Sequence, residues 1–184
     1  MSEPALPEKI IAIHRQLSDA KIAHAFGGAL ALAYYAEPRA TIDIDINVFA
    51  TPAEYDAVSA ALTPLGVGEI DAAVLQRDGQ CRAWWGRTPI DLFFAYDEIH
   101  TAMRRELRIE PFAEDRIPVL APEHLVVCKA SFDRPKDWLD IEQVLVCVAD
   151  LDIPEIRRWL DRIVGVEDPR RLRFDELVDA LLSS

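Results

Sequence analysis

From Thr41 to Phe49 the chain reads as a strand: Thr41, Asp43, Asp45 and Asn47 interleave with Ile42, Ile44, Ile46 and Val48. Period-two alternation marks a strand with one face in a core and the other turned to polar surroundings. The isoleucines require packing on one side. On the other side, residues i and i+2 share a face, so Asp43 and Asp45 stand roughly 6–7 Å apart along the backbone. Their carboxylates can converge on one or two hard cations with oxygen ligands. Taken singly, an Asp-x-Asp pair is more simply the solvated acidic face of an edge strand.

A third acid changes that balance. In Pro89-Ile90-Asp91-Leu92-Phe93-Phe94, an aspartate interrupts an otherwise apolar run. A carboxylate there seldom faces a core without a partner. If this strand lies beside the first, Asp91 completes a cluster of three carboxylates. Such a cluster can hold two magnesium ions about 4 Å apart, clamping the attacking and leaving oxygens of a phosphoryl transfer. Upstream, Gly27-Gly28 stands where the apolar run Ile22 to Phe26 hands over to Ala29–Glu37, which is rich in alanine and leucine. Glycine permits positive φ and close backbone approach, and the N–H groups opening a helix favour anions. A triphosphate chain fits such a turn, although a Gly-Gly pair alone denotes only a tight turn. No P-loop and no Gly-x-Gly-x-x-Gly fingerprint is present.

The surrounding pattern is α+β. Helices are expected at residues 8–19 and Ala29–Glu37, and after Pro52 on the spacing of Val58, Ala61, Leu62 and Leu65. Strands are expected at Ile22–Phe26, Thr41–Phe49, Ala72–Leu75, Gln80–Trp85 and Pro89–Ala95, the last two joined by a turn at Gly86-Arg87-Thr88. The remainder reads as helical over Tyr96–Leu107, Pro122–Phe132, Pro135–Ala149, Pro154–Val164 and Phe174–Leu182. This implies a small mixed sheet with flanking helices over residues 1–118, followed by a helical segment over 119–184. The joint is expected near Arg116–Pro122.

The ordered set resembles the nucleotidyltransferase superfamily with the DNA polymerase β-type fold. More closely, Gly27-Gly28-Ala29-Leu30-Ala31-Leu32 with Arg39-x-Thr41-x-Asp43-Ile44-Asp45 is similar to its minimal prokaryotic branch, which includes AbiEii-type toxins and antibiotic nucleotidyltransferases. Lys129-x-x-x-Asp133-Arg134-x-Lys136-Asp137-x-x-Asp140 resembles the helical segment that follows the core in that branch. The resemblance spans roughly residues 20–145. It implies a Mg2+- or Mn2+-dependent enzyme that moves a nucleoside monophosphate from an NTP to an acceptor hydroxyl. Asp43, Asp45 and Asp91 would be catalytic and hold the metal, with Asp91 assisting deprotonation of the acceptor. Gly27, Gly28, Arg39, Thr41 and Lys129 would contact the nucleotide, and Lys136, Asp137 and Asp140 would line the cleft. One departure is visible: Ala29 stands where many members carry a serine whose hydroxyl contacts phosphate, a loss of about 1 kcal/mol. That departure supports an alternative, a fold-retaining binding module such as a component of a toxin–antitoxin pair.

Composition narrows the partners. A net charge of −12 over 184 residues opposes an extended nucleic-acid platform and favours a small or cationic acceptor over a large RNA surface. A tRNA end, an antibiotic and a protein side chain all remain open as acceptors. The arginine groups Arg104/Arg105/Arg108 and Arg170/Arg171/Arg173 read chiefly as ion-pair partners in an acidic protein. Of Trp84 and Trp85, alternation puts one in the core and leaves the other able to stack on a ring. His24, on the first strand, reads as structural. Cys81, Cys128 and Cys147 sit in apolar contexts and read as reduced core residues, with no zinc-type spacing. No apolar run reaches bilayer length, and the N-terminus lacks a secretion signal. A cytoplasmic location is therefore expected.

Overall fold

A computed structural model describes residues 3–182. In chain order the elements are α1 (Leu6–Asp19), β1 (His24–Phe26), α2 (Gly28–Leu32), β2 (Ile44–Val48), α3 (Tyr55–Leu62), α4 (Ala72–Asp78), β3 (Gln80–Trp85), β4 (Thr88–Phe94), α5 (Glu98–Glu106), β5 (Arg108–Phe112), β6 (Asp115–Val119), α6 (Pro122–Phe132), α7 (Pro135–Cys147), α8 (Ile153–Ile163) and α9 (Pro169–Leu182). The chain divides into two compact units, residues 1–30 with 40–120 and residues 31–39 with 121–184. None of the described helices is long and apolar enough to cross a membrane.

The first unit is built on one mixed sheet with strand order β3-β4-β2-β1-β6-β5. β2 runs parallel to β4 and antiparallel to β1. β3 and β4 form a hairpin, as do β5 and β6. The isoleucine face of β2 supplies the core: Ile44 and Ile46 are buried together with Ile90, Leu92 and Phe94 of β4. α1 adds Ile10, Ile13 and Leu17 to the buried set. Its first turn is closed by the Ala5 N–H, which donates to Glu8 Oε2 at 2.7 Å. Lys9 is buried as well, with its ammonium donating to the Trp85 carbonyl at 2.8 Å and to Thr88 Oγ1 at 2.9 Å, and pairing with Glu3. An amine taken out of water needs such a full set of acceptors. The same interactions fasten α1 to the β3–β4 turn.

Four expectations change. Ala72–Leu75 is the start of a helix, not a strand. Asp71 accepts from the N–H groups of Ala73 and Val74, both at 3.0 Å, and Gly79 closes the helix at φ +69°; a capped start and a left-handed glycine stop outweigh a short apolar run. The helix after Gly27-Gly28 ends at Leu32, five residues before Glu37. β2 begins at Ile44, so Asp43 sits on the residue just before the strand. The β5–β6 hairpin occupies residues between Leu107 and Leu120 for which no strand was expected, because Pro111 and Pro118 depress the strand signal. β5 is the last strand of the sheet, where a missing N–H is tolerated on the outer edge.

In the second unit, α6 packs with α7, α8 and α9. Leu125, Val126, Ala130, Trp138, Ile141, Val144, Leu145, Ile156, Leu160 and Phe174 are buried. The α6–α7 corner turns on Asp133, which holds φ +55° and accepts from Trp138 Nε1 at 2.6 Å. Pro135 then opens α7 in its first turn, where its missing N–H costs nothing.

Candidate active site

The strongest geometry lies where β1 ends. Phe26 pairs with Ile46, which brings the glycine pair directly over Asp45. The Gly27 N–H donates to the Asp45 carbonyl at 2.9 Å. A Cβ on Gly27 would lie 2.9 Å from Asn47 Nδ2. Gly28 is tighter still: its φ is +53°, and a Cβ there would fall 1.8 Å from Asp45 Oδ2 and 2.5 Å from its Cγ. No side chain fits, so the Asp45 carboxylate occupies the space that Gly28 leaves. The two halves of the sequence motif are thereby in contact. Gly27 contributes room and not a donor, since its N–H is already bonded.

β2 and β4 place the acids in register. Asp45 is the Cα partner of Asp91, so in a parallel pair the two side chains share the face opposite the isoleucine core. Asp43 precedes the strand, and its N–H donates to Thr41 Oγ1 at 3.2 Å. Thr41 therefore shapes the approach to the acids. Ala29 is buried.

One participant was not expected from sequence. Arg82 on β3 is the cross-strand partner of Asp91. Its Nε and one terminal nitrogen donate to the two Asp91 oxygens, each at 2.7 Å. The same guanidinium lies 4.0 Å from Asp43 Oδ2. Hydrogen bonding to Asp91, with the charges of Asp43 and Asp45 behind it, raises its pKa further, so it stays cationic. The row Arg82–Asp91–Asp45 thus crosses three adjacent strands. Arg82 alternates with buried Cys81 and Ala83, which marks it as solvent-facing in sequence. Its partner follows from the register of the β3–β4 hairpin, in which the turn after Trp85 sets Arg82 opposite Asp91. Of the two tryptophans beside it, Trp84 is half exposed, and the Trp85 ring lies 5.3 Å from the Lys9 ammonium.

The remaining candidates belong to the second unit and are knitted to one another. Lys129 is buried and donates to Asp140 Oδ2 at 2.5 Å, with Asp137 Oδ1 at 3.9 Å. Arg39 forks onto Asp140 with contacts of 3.1 and 3.0 Å. Burial pushes the Asp140 carboxyl up, but hydrogen bonds from Arg39 and Lys129 outweigh it and hold the group below its ordinary value. Asp137 is fully buried and takes Arg134 at 2.6 and 3.0 Å. Lys136 is exposed. Four of the five, all but Lys136, form an ion-pair core at the α6–α7 corner.

Elsewhere Arg170 pairs with Asp168, Arg171 pairs with Asp161 at 2.5 Å and with Asp175, and the Arg173 guanidinium lies over the Trp138 ring. His24 donates through Nδ1 to the Ile22 carbonyl at 2.9 Å and accepts from His14 Nδ1 at 3.0 Å. The cysteines are free thiols, but only Cys81 is buried; Cys147 is exposed on α7, contrary to the core placement expected for all three.

No curated protein matches the sequence. Among solved structures, the antibiotic-resistance factor ANT(2'')-Ia in solution superposes with a TM-score of 0.63 at 16% identity, covering 96% of each chain. A crystal structure of ANT(2'')-Ia in complex with adenylyl-2''-tobramycin gives 0.56 at 17% identity, covering 96% of this chain and 97% of that one. The lincosamide antibiotic adenylyltransferase LnuA, with lincomycin bound, gives 0.54 at 13% identity over 78% of this chain and 98% of its own. At these identities the likeness is one of fold, a nucleotidyltransferase-like mixed sheet with a helical C-terminal segment. The family model described as nucleotidyl transferase AbiEii toxin, Type IV TA system, matches residues 9–181. The chain belongs to the AbiEii nucleotidyl transferase toxin family.

Proposed function

We propose that the protein is a divalent-metal-dependent nucleotidyltransferase that moves a nucleoside monophosphate from an NTP to an acceptor hydroxyl. The observation that carries this reading is the contact of Asp45 with the Gly28 void, in register with Asp91. A carboxylate pressed into a glycine-lined turn is poorly explained as a solvated edge. The donor set is all carboxylate oxygen, which suits Mg2+ or Mn2+. Asp43 and Asp45, joined by Asp91, are the residues that would hold it. When bound, the metal supplies charge neutralisation of the triphosphate and of the leaving pyrophosphate.

The chain's own groups do the rest. Gly28 admits the Asp45 carboxylate to the turn beside which the triphosphate would lie. Asp91 takes the proton from the acceptor hydroxyl at a carboxylate oxygen. The acceptor oxygen then forms a bond to the α-phosphorus as the bond to the bridging β-phosphate oxygen breaks, and pyrophosphate leaves with that electron pair. Little covalent chemistry is asked of the protein, and positioning provides most of the acceleration.

The neighbours' names indicate acceptor classes to test, an aminoglycoside and a lincosamide. Family membership adds a toxin–antitoxin setting, which makes an RNA or a protein a further acceptor class to test and an antitoxin the protein partner to seek. The test is incubation with each labelled NTP, Mg2+ or Mn2+, and separate RNA, protein and antibiotic pools. Label should enter one pool, and Asp43→Asn and Asp45→Asn should each abolish transfer while circular dichroism is unchanged. Full activity of the double variant would sink the mechanism. The second reading, a binding module without catalysis, is favoured by buried Ala29 at the serine position. It predicts no heat of NTP binding in calorimetry with Mg2+.

A further inference from the structure

Three like charges on one sheet face repel one another unless a cation sits among them. In this protein a cation does: the Arg82 guanidinium holds both Asp91 oxygens at 2.7 Å and stands 4.0 Å from Asp43. A fork-to-fork pair of this kind occupies the lone pairs that a metal would use. Consistent with this, among the described residues Asp43, Asp45 and Asp91 do not bring one oxygen each within 4.8 Å of one another. The pair is also built to open. Arg82 is 48% exposed while Asp91 is 18% exposed, so the cation can leave and the carboxylate stays. Two residues on, Trp84 shares the same face of β3, and its ring centroid already lies 6.0 Å from the Arg82 guanidinium carbon. A half-exposed indole face gives a displaced guanidinium a favourable surface.

We infer that Arg82 is an exchangeable internal counter-cation of the carboxylate cluster. It neutralises Asp91 and Asp43 in the metal-free protein and is displaced toward Trp84 when a divalent ion takes those oxygens. The inference rests on the proposed metal site. Its consequence is a positioning role: Arg82 sets how much free metal the site needs, and it releases a cation beside the acids at the moment the site loads.

The test is Mn2+ binding to the full chain by calorimetry, without nucleotide. Arg82→Gln should bind Mn2+ about tenfold more tightly than wild type, the scale of a bidentate charged pair discounted for its exposed partner. Arg82→Lys, which keeps the charge and loses the fork, should fall between them. In wild type, the Arg82 Nε–H resonance should be protected from solvent exchange without metal and lose that protection on adding Mg2+. Equal or weaker Mn2+ binding by Arg82→Gln, with wild-type binding still abolished by Asp45→Asn, overturns the role of Arg82 and leaves the metal site standing. Absence of any Mn2+ binding sensitive to Asp45→Asn overturns both.

Discussion

Gly28→Ala is the sharpest probe of the site, because it puts a methyl group where the structure has no room to spare. The new Cβ would lie 1.8 Å from Asp45 Oδ2, 2.5 Å from Cγ and 3.0 Å from Cβ. Ordinary contact needs about 3.5 Å, so the carboxylate must retreat by about 1.7 Å or the backbone must open. Positive φ at a non-glycine residue adds about 1 kcal/mol, and relieving the overlap adds about 1–3 kcal/mol. The total, about 2–4 kcal/mol, is measurable by urea denaturation as a fall in midpoint at unchanged slope. Mn2+ affinity should fall with it, because Asp45 is the group displaced. Gly27→Ala is the control: its one tight Cβ contact is Asn47 Nδ2 at 2.9 Å, Leu120 and Asp45 lie at ordinary distances, and no positive φ is involved. It should cost about 1 kcal/mol, mostly by moving the end of one side chain. A Gly28→Ala protein with wild-type midpoint and wild-type Mn2+ affinity would refute the reasoning that Gly28 exists to admit Asp45.

Two further outcomes follow from buried charge. Lys129→Met leaves Asp140 with Arg39 alone and Asp137 with Arg134, and should destabilise by about 2–4 kcal/mol; an added Asp140→Leu should recover part of the loss, and a double variant worse than the single would count against the ion-pair core. Burial holds the His24 imidazole down at about 4 against 6.5 in the free side chain. Between those values the unfolded chain binds a proton that the folded protein refuses, so stability is complete above pH 6.5 and falls as pH drops toward 4. At pH 5 the loss is about 2 kcal/mol, read as a shift in urea midpoint from pH 7.5, and His24→Gln should flatten that slope; an unchanged slope would assign the acid sensitivity to other groups.

Much of the core was legible because it is written in single-strand patterns. The alternation over Ile44–Val48 and the apolar run around Asp91 each identify a strand without reference to any other, whereas Ile42, expected on the packed face, lies before β2 and is 69% exposed. Where local cues compete, the reading fails in a physically clear way. Ala72–Leu75 is too short for apolar content to separate strand from helix, and the decision belongs to Asp71 and Gly79 at its ends. The β5–β6 hairpin hides behind Pro111 and Pro118, which depress the strand signal; Pro111 is tolerable because β5 is the last strand of the sheet. The family resemblance assigns Lys129 to the nucleotide and Asp140 to the cleft. The structure gives them to each other at 2.5 Å.

By itself, the sequence determined which residues of β2 share a face: the periodicity of a strand is a property of its own backbone, so Asp45 had to turn away from Ile44 and Ile46. It also determined that Gly27 and Gly28 would close a turn. Tertiary structure alone decided that Asp45 fills the space above Gly28 and that Asp91 sits opposite it in register. Register between strands is set by the packing of whole faces against a common core, and residues more than forty positions apart become neighbours only when that core has formed.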